Sequence, residues 1–219
     1  MLGESFGYAK DAIVGKWMQW VLLLIATILL CIPLMGYVLK IYRGEKPAPE
    51  VTGWVTLIID GIKYLIVSLI WAIPCLIILF FGLGALVAAI VSAGNPALVA
   101  NNPSAIMAFA SGAIVYFVLF VIVAIITGLL ATVGVVRFAR TGSMGEAFNF
   151  GAILETIGKI GWISYIIALI IIAIIIGIIE FILMAIPYVG TIILFILIPL
   201  LVLWHSRYIC MLYDSAGAA

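Results

Sequence analysis

Apolar and polar positions along this chain fall into blocks rather than alternating residue by residue. Five apolar blocks stand out, at Trp17–Leu39, Tyr64–Ala93, Ala113–Val136, Trp162–Ala185 and Val189–Cys210. About 20 apolar residues, rising about 1.5 Å each, cross the hydrocarbon of a bilayer, so each block predicts a membrane-spanning helix. The second block is longer than a span needs and contains Pro74, which predicts a kink or a short interfacial turn. Ile186-Pro187-Tyr188-Val189-Gly190 separates the last two blocks and predicts a tight helical hairpin. The uncharged run from Gly94-Asn95-Pro96 to Asn101-Asn102-Pro103-Ser104 is rich in turn formers and predicts a loop.

Two stretches between the blocks carry a different pattern. From Trp54 to Lys63, Thr56, Asp60 and Lys63 continue the helical spacing begun at Thr52, while Trp54, Leu57, Ile58 and Ile62 fill the other positions. From Glu146 to Ile160, the polar Glu146, Asn149, Thr156 and Lys159 stand against Phe148, Ile153, Leu154, Ile157 and Ile160. Both predict amphipathic helices lying in the membrane interface. Glu155 and Lys159 form an i,i+4 pair in the favourable order.

Composition agrees with the pattern. Of 219 residues 68% are hydrophobic and 9% charged, and mean hydropathy is +1.44; soluble domains carry about 25% charged residues. No acid or base lies between Lys63 and Arg137, and Glu180 is the only one from Ile160 to Ser206 besides His205 at the end. A net charge of +1 offers nothing to nucleic acid. Lys10 and Lys16 precede the first apolar block as in a signal peptide, but no small-x-small cleavage site follows, so the block is taken as the first span. With five spans, eight bases share one side and only Lys10 and Lys16 lie on the other. The positive-inside rule then places the charged loops and the C-terminus in the cytoplasm and the N-terminus outside.

An internal similarity organises the chain. Gly36, Lys40, Arg43, Gly44, Trp54 and Lys63 are matched 96 to 98 residues later by Gly134, Arg137, Arg140, Gly142, Phe150 and Lys159. This predicts a parallel repeat, each copy holding two crossings. The chain reads as one membrane domain: an N-terminal amphipathic segment over 1–16, a first repeat over 17–93, a second over 113–185, and a last span and tail over 189–219. The fold class is therefore all-α, a polytopic helical bundle of about five spans with interfacial helices.

Gly36-Tyr37, Arg43-Gly44-Glu45, Pro47, Trp54 and Asp60-Gly61-Ile62-Lys63 together resemble a membrane family catalogued as domain of unknown function 4013 and frequent in archaea. Val136-Arg137-Phe138-Ala139, Gly142, Ala147-Phe148 and Phe150 look like that family's second loop, and Arg207-Tyr208 and Leu212-Tyr213 like its tail. The resemblance implies a multi-pass helical domain and carries no activity or catalytic residue.

Few residues bear chemistry. Glu180 is an acid inside a span; such acids are proton or cation carriers, or else interfacial carboxyls. Arg43, Lys46, Arg137 and Arg140 make a candidate patch for anionic lipid headgroups, which the positive-inside bias explains equally well. Asp60 and Lys63 with Glu155 and Lys159 are a candidate headgroup cradle, or simply solvated faces. His205, beside Trp204 and Arg207, reads as an interface anchor. Cys31, Cys75 and Cys210 are widely spaced in apolar surroundings and read as free thiols. Gly82, Gly84, Ala85, Ala88, Ala89, Ser92 and Ala93 in the second block, with Ala124, Gly128, Ala131, Thr132 and Gly134 in the third, favour close helix packing, a homo-oligomer or a larger membrane complex. No phosphate loop, metal spacing, Ser/His/Asp set or redox cysteine pair occurs in the sequence, so no catalysis, cofactor or metal is expected. Two functions stay open: a non-catalytic bundle that binds membrane lipids or proteins, and a small transporter or channel using the repeat interface. A lipid-modifying enzyme trails both.

Overall fold

The computed structural model describes residues 1–92 and 103–217. Among them are helices α1 (Leu2–Ile13), α2 (Trp17–Ile28), α3 (Ile32–Tyr42), α4 (Trp54–Ser92), α5 (Pro103–Thr141), α6 (Phe150–Ile160), α7 (Trp162–Met184) and α8 (Val189–Asp214), a short 3-10 turn at Met144–Phe148, and no strand. Helices α4, α5, α7 and α8 are long and apolar enough to cross a membrane, and at most 28% of their most apolar windows is buried within the protein. Their apolar side chains point outward, as they do when lipid is the solvent. The all-α polytopic fold class holds.

Two compact units are present, one of residues 1–68 and 130–217, the other of residues 69–129. The second is an antiparallel pair of helical stretches. A Cβ on Gly82 would lie 3.3 Å from the Tyr116 ring, and Cys75 Sγ approaches Thr127 Oγ1 at 3.6 Å. Helix α4 continues through Pro74 without a break, so no interfacial turn forms there. The loop anticipated over 94–104 lies outside the described residues except for Pro103 and Ser104, which begin α5.

The expected span Trp17–Leu39 is not one helix. Leu30 and Cys31 take positive φ (56° and 59°) between α2 and α3. Gln19 Nε2 donates to the Tyr37 hydroxyl at 3.3 Å, although 18 residues of continuous helix would separate them by about 27 Å. The segment therefore folds back as a hairpin. Pro33 in the first turn of α3 explains the break, because its ring disfavours helical backbone at Ile32 and it has no N–H to continue α2. Backbone groups at the tip remain satisfied locally: Leu30 N–H donates to Ile28 O, Cys31 N–H to Thr27 O and Ile32 N–H to Leu29 O. Exposed Ile28, Leu29 and Leu30 cover it, so the tip tolerates an apolar medium.

The N-terminus also sits elsewhere than anticipated. Trp204 Nε1 donates to Leu2 O at 3.3 Å and Ser5 Oγ at 3.1 Å, and the Tyr8 hydroxyl donates to Glu45 O at 3.1 Å. Helix α1 thus lies against the C-terminal half of α8 and beside the loop after α3. It meets α2 at 99°, as an interfacial helix meets one that plunges. A hairpin that returns to its own side adds no crossing, so four helices, or five if α1 and α2 together make one bent span, are able to cross a membrane.

Both amphipathic stretches are helical, with different outcomes. Trp54–Lys63 is the start of α4 itself, and its faces are mixed: Leu57, Asp60 and Gly61 are buried while Thr56 and Lys63 are exposed together with Val55, Ile58, Ile59 and Ile62. Phe150–Ile160 stays separate as α6, capped by Asn149 Oδ1 accepting from Ala152 N–H at 3.2 Å and ended by Gly161 at φ 90°. Where Gly161 follows Lys159 and Ile160, the earlier stretch continues from Lys63 and Tyr64 to Leu65, which gives no such break.

Helices α3 and α4 touch backbone to backbone. A Cβ on Gly36 would fall 1.9 Å from Leu57 O, and one on Gly61 would fall 1.9 Å from Ile32 O. Around this contact gathers a core that includes Ala9, Ile13, Leu23, Ala26, Tyr37, Leu57 and Leu203. Gln19 ties in the following loop, donating to Pro49 O at 2.8 Å and accepting from Val51 N–H at 3.4 Å. Arg43 Nη2 donates to buried Asp60 at 2.7 Å, the guanidinium side keeping 36% exposure against 8% for the carboxylate.

Gly36→Ala and Gly61→Ala are expected to destabilise the fold by about 1–3 kcal/mol or more each, while Gly158→Ala, whose Cβ meets nothing within 4 Å, is neutral or stabilising; thermal unfolding in detergent ranks them. The Arg43–Asp60 pair predicts an asymmetry. Arg43→Met strands a buried carboxylate and costs about 3 kcal/mol, whereas Asp60→Asn leaves a guanidinium that reaches water and costs about 1 kcal/mol or less. Equal losses in the same assay would refute the burial argument.

Candidate functional site

Helix α3, the start of α4, and the antiparallel pair α7 and α8 enclose a partly open cavity of about 420 Å³. Ligand pockets typically span about 300–1,000 Å³. Leu34, Met35, Val38, Ile176, Ile198, Leu201 and Val202 make most of the wall. Into it come Tyr42 from the end of α3, Tyr64 from α4, Glu180 from α7, and His205 and Ser206 from α8, with Cys31 at the hairpin tip. Helical spacing explains the convergence: Ile198, Leu201, Val202 and His205 share one face of α8, and Ile176 and Glu180 stand one turn apart on α7. The tight turn that aligns α7 with α8 needs Gly190, whose Cβ would lie 1.6 Å from Leu183 O.

Glu180 is exposed and makes no ion pair among the described residues. It is the only acid or base among the cavity-lining residues apart from His205. The sequence singled out Glu180 but did not join it to Tyr42, Tyr64 and Ser206, which bear no signal of their own. His205, read as an anchor, is half-buried on the cavity wall. Trp204 is the residue that anchors, holding α1 through its indole N–H and an edge-on contact with Phe6 at 5.0 Å.

The candidate headgroup patch is largely neutralised. Arg43 is paired with Asp60, Arg137 with Glu146 and Arg140 with Asp214; of the four, only Lys46 lacks an acidic partner among the described residues. The Glu146 carboxyl is held below the usual range by its hydrogen bond from Arg137 and then by that from Asn149. Glu155 is held low by Lys159, 2.8 Å away. Asp60 is therefore paired with Arg43, just after α3, and Glu155 with Lys159 one turn on in α6.

A second polar cluster was not legible in the sequence. Buried Cys210 Sγ lies 3.3 Å from Arg140 Nη2 and 3.7 Å from Arg207 Nη1. Arg207 is 3% exposed and rests 4.9 Å over the Tyr8 ring, a cation–π contact that joins α1 to α8. A Cβ on Gly44 (φ 89°) would lie 2.9 Å from Arg140 Nη1, so that glycine admits the guanidinium beside the loop. All three cysteines are free thiols, and no group of potential metal ligands occurs among the described residues.

No curated protein and no solved structure matches the chain. The family model described as "Protein of unknown function (DUF4013)" matches residues 20–188. The match includes Glu180 and the hairpin and stops before α8, which supplies His205 and Ser206. With most of its length covered, this multi-pass helical chain belongs to the DUF4013 family.

Proposed function

We propose that this protein is a non-catalytic membrane protein that takes an amphiphile from the bilayer into the cavity between α3, α7 and α8. The observation that carries the reading is the cavity itself: apolar walls, a partly open mouth and a few convergent polar groups at Tyr42, Tyr64, Glu180 and His205. That combination suits a molecule with an apolar body and one polar end. Transport is the second reading, favoured by one observation, the placement of an intramembrane carboxyl on a cavity wall.

The same proposal includes an orientation. With α2 and α3 folded back and four helices crossing, all ten Lys and Arg residues fall at one end of the bundle, and the positive-inside rule makes that end cytoplasmic. Both termini are then cytoplasmic, and the α7–α8 turn at Tyr188 lies outside.

Met35→Trp and Val202→Phe, which fill the cavity, are expected to weaken saturable binding of an uncharged, fluorescently labelled single-chain amphiphile at least tenfold while leaving the thermal transition in place. No saturable binding by the wild type above protein-free membranes, or unchanged binding by both variants, would overturn the reading. For orientation, single cysteines at Gly3, Tyr188 and Ser215, in a chain with its native thiols replaced by serine, are treated with a membrane-impermeant maleimide on intact cells. Tyr188→Cys alone is expected to label; labelling of Gly3→Cys together with Tyr188→Cys would restore the five-span scheme.

A further inference from the structure

We infer that the cavity's ligand is a small lipophilic cation, an ammonium-type charge on an apolar body, with Glu180 as the residue that selects the charge. The inference rests on the cavity reading above and deepens it.

Four observations converge. Glu180 lies one turn before the end of α7 among Ile176, Ile178, Phe181 and Ile182, apolar surroundings in which a carboxylate gains from an accompanying cation. No Lys or Arg lines the cavity, where His205 is the one basic side chain, and Glu180 has no ion pair with it or with any other described residue. The nearest arginine along α8, Arg207, is turned to Tyr8 and Cys210 instead. Finally, Tyr42 and Tyr64 bring aromatic rings to the same cavity, and aromatic faces attract desolvated cations.

Anionic amphiphiles meet only the repulsion of Glu180 in this site. Uncharged ones gain the apolar walls and nothing more. A cation gains the walls, the rings and the carboxylate, so charge selectivity and overall binding depend on separate features and separate under mutation.

The experiment compares decyltrimethylammonium, decanol and decanoate by calorimetric titration into the full chain in neutral maltoside micelles, for wild type, Glu180→Gln and Glu180→Asp. The wild type is expected to bind the cation at least tenfold more tightly than decanol and to reject decanoate. Glu180→Gln should bring the cation to within about twofold of decanol while decanol affinity is unchanged, and Glu180→Asp should keep most of the preference. A wild type that binds decanol and the cation alike, or a preference that survives Glu180→Gln, overturns the cationic assignment and leaves the cavity reading intact. Saturable binding of none of the three would sink the cavity reading instead. Native mass spectrometry supplies a further arm: Glu180-dependent retention of phosphatidylethanolamine over phosphatidylglycerol would move the ammonium to a lipid headgroup and overturn the small-molecule assignment.

Discussion

Where α3 crosses α4, two carbonyl oxygens occupy the space that side chains would need at Gly36 and Gly61. Much of the first unit depends on that approach. Helices α2 and α3, about 18 and 16 Å long, are too short to cross a bilayer, so they must bury their inner faces against a longer element. Backbone contact maximises that burial, and in an apolar medium it is packing rather than the exclusion of water that holds helices together. Leu23, Ala26, Tyr37 and Leu57 fill in around the crossing, Gln19 closes the loop above it, and α1 and α8 complete the core. The cavity is a consequence, because the hairpin tip stops at Cys31 and leaves the space toward Ile176 and Glu180 unfilled.

A second constraint is the cost of charge where water is scarce. Three of the four arginines are matched with carboxylates, and the fourth, Arg207, is buried over an aromatic ring beside a thiol. These contacts join parts far apart in sequence, Arg140 to Asp214 and Arg207 to Tyr8. Glu180, inside the apolar run of α7, has no such match among the described residues. An unmatched carboxyl on a spanning helix, at a cavity built of apolar side chains and tyrosines, is what makes this site distinct from the paired cluster.

The start of α4 shows how lipid changes the meaning of amphipathicity. Read as if in water, Asp60 and Lys63 belong on an exposed face. In the folded chain Asp60 turns inward to Arg43, and Ile58, Ile59 and Ile62 turn outward. The stretch before α7 keeps its separate helix because Gly161 adopts a positive φ that Leu65, two residues after Lys63, does not. Two segments alike in pattern thus differ in structure through one backbone-permissive residue.

Local chemistry in the sequence settled the membrane class, the later apolar helices, the α7–α8 turn and the separate α6 with its Glu155–Lys159 pair. Each follows from composition, period or turn residues within a short window. The folding back of Trp17–Leu39 had a local signal in Pro33, masked by unbroken hydrophobicity on both sides. The cavity, the burial of Asp60 and the neutralised arginines had none. They arise from pairings between residues tens to hundreds of positions apart, and only the three-dimensional path of the chain decides which charges meet, which glycines lie under a carbonyl and which carboxyl is left without a partner.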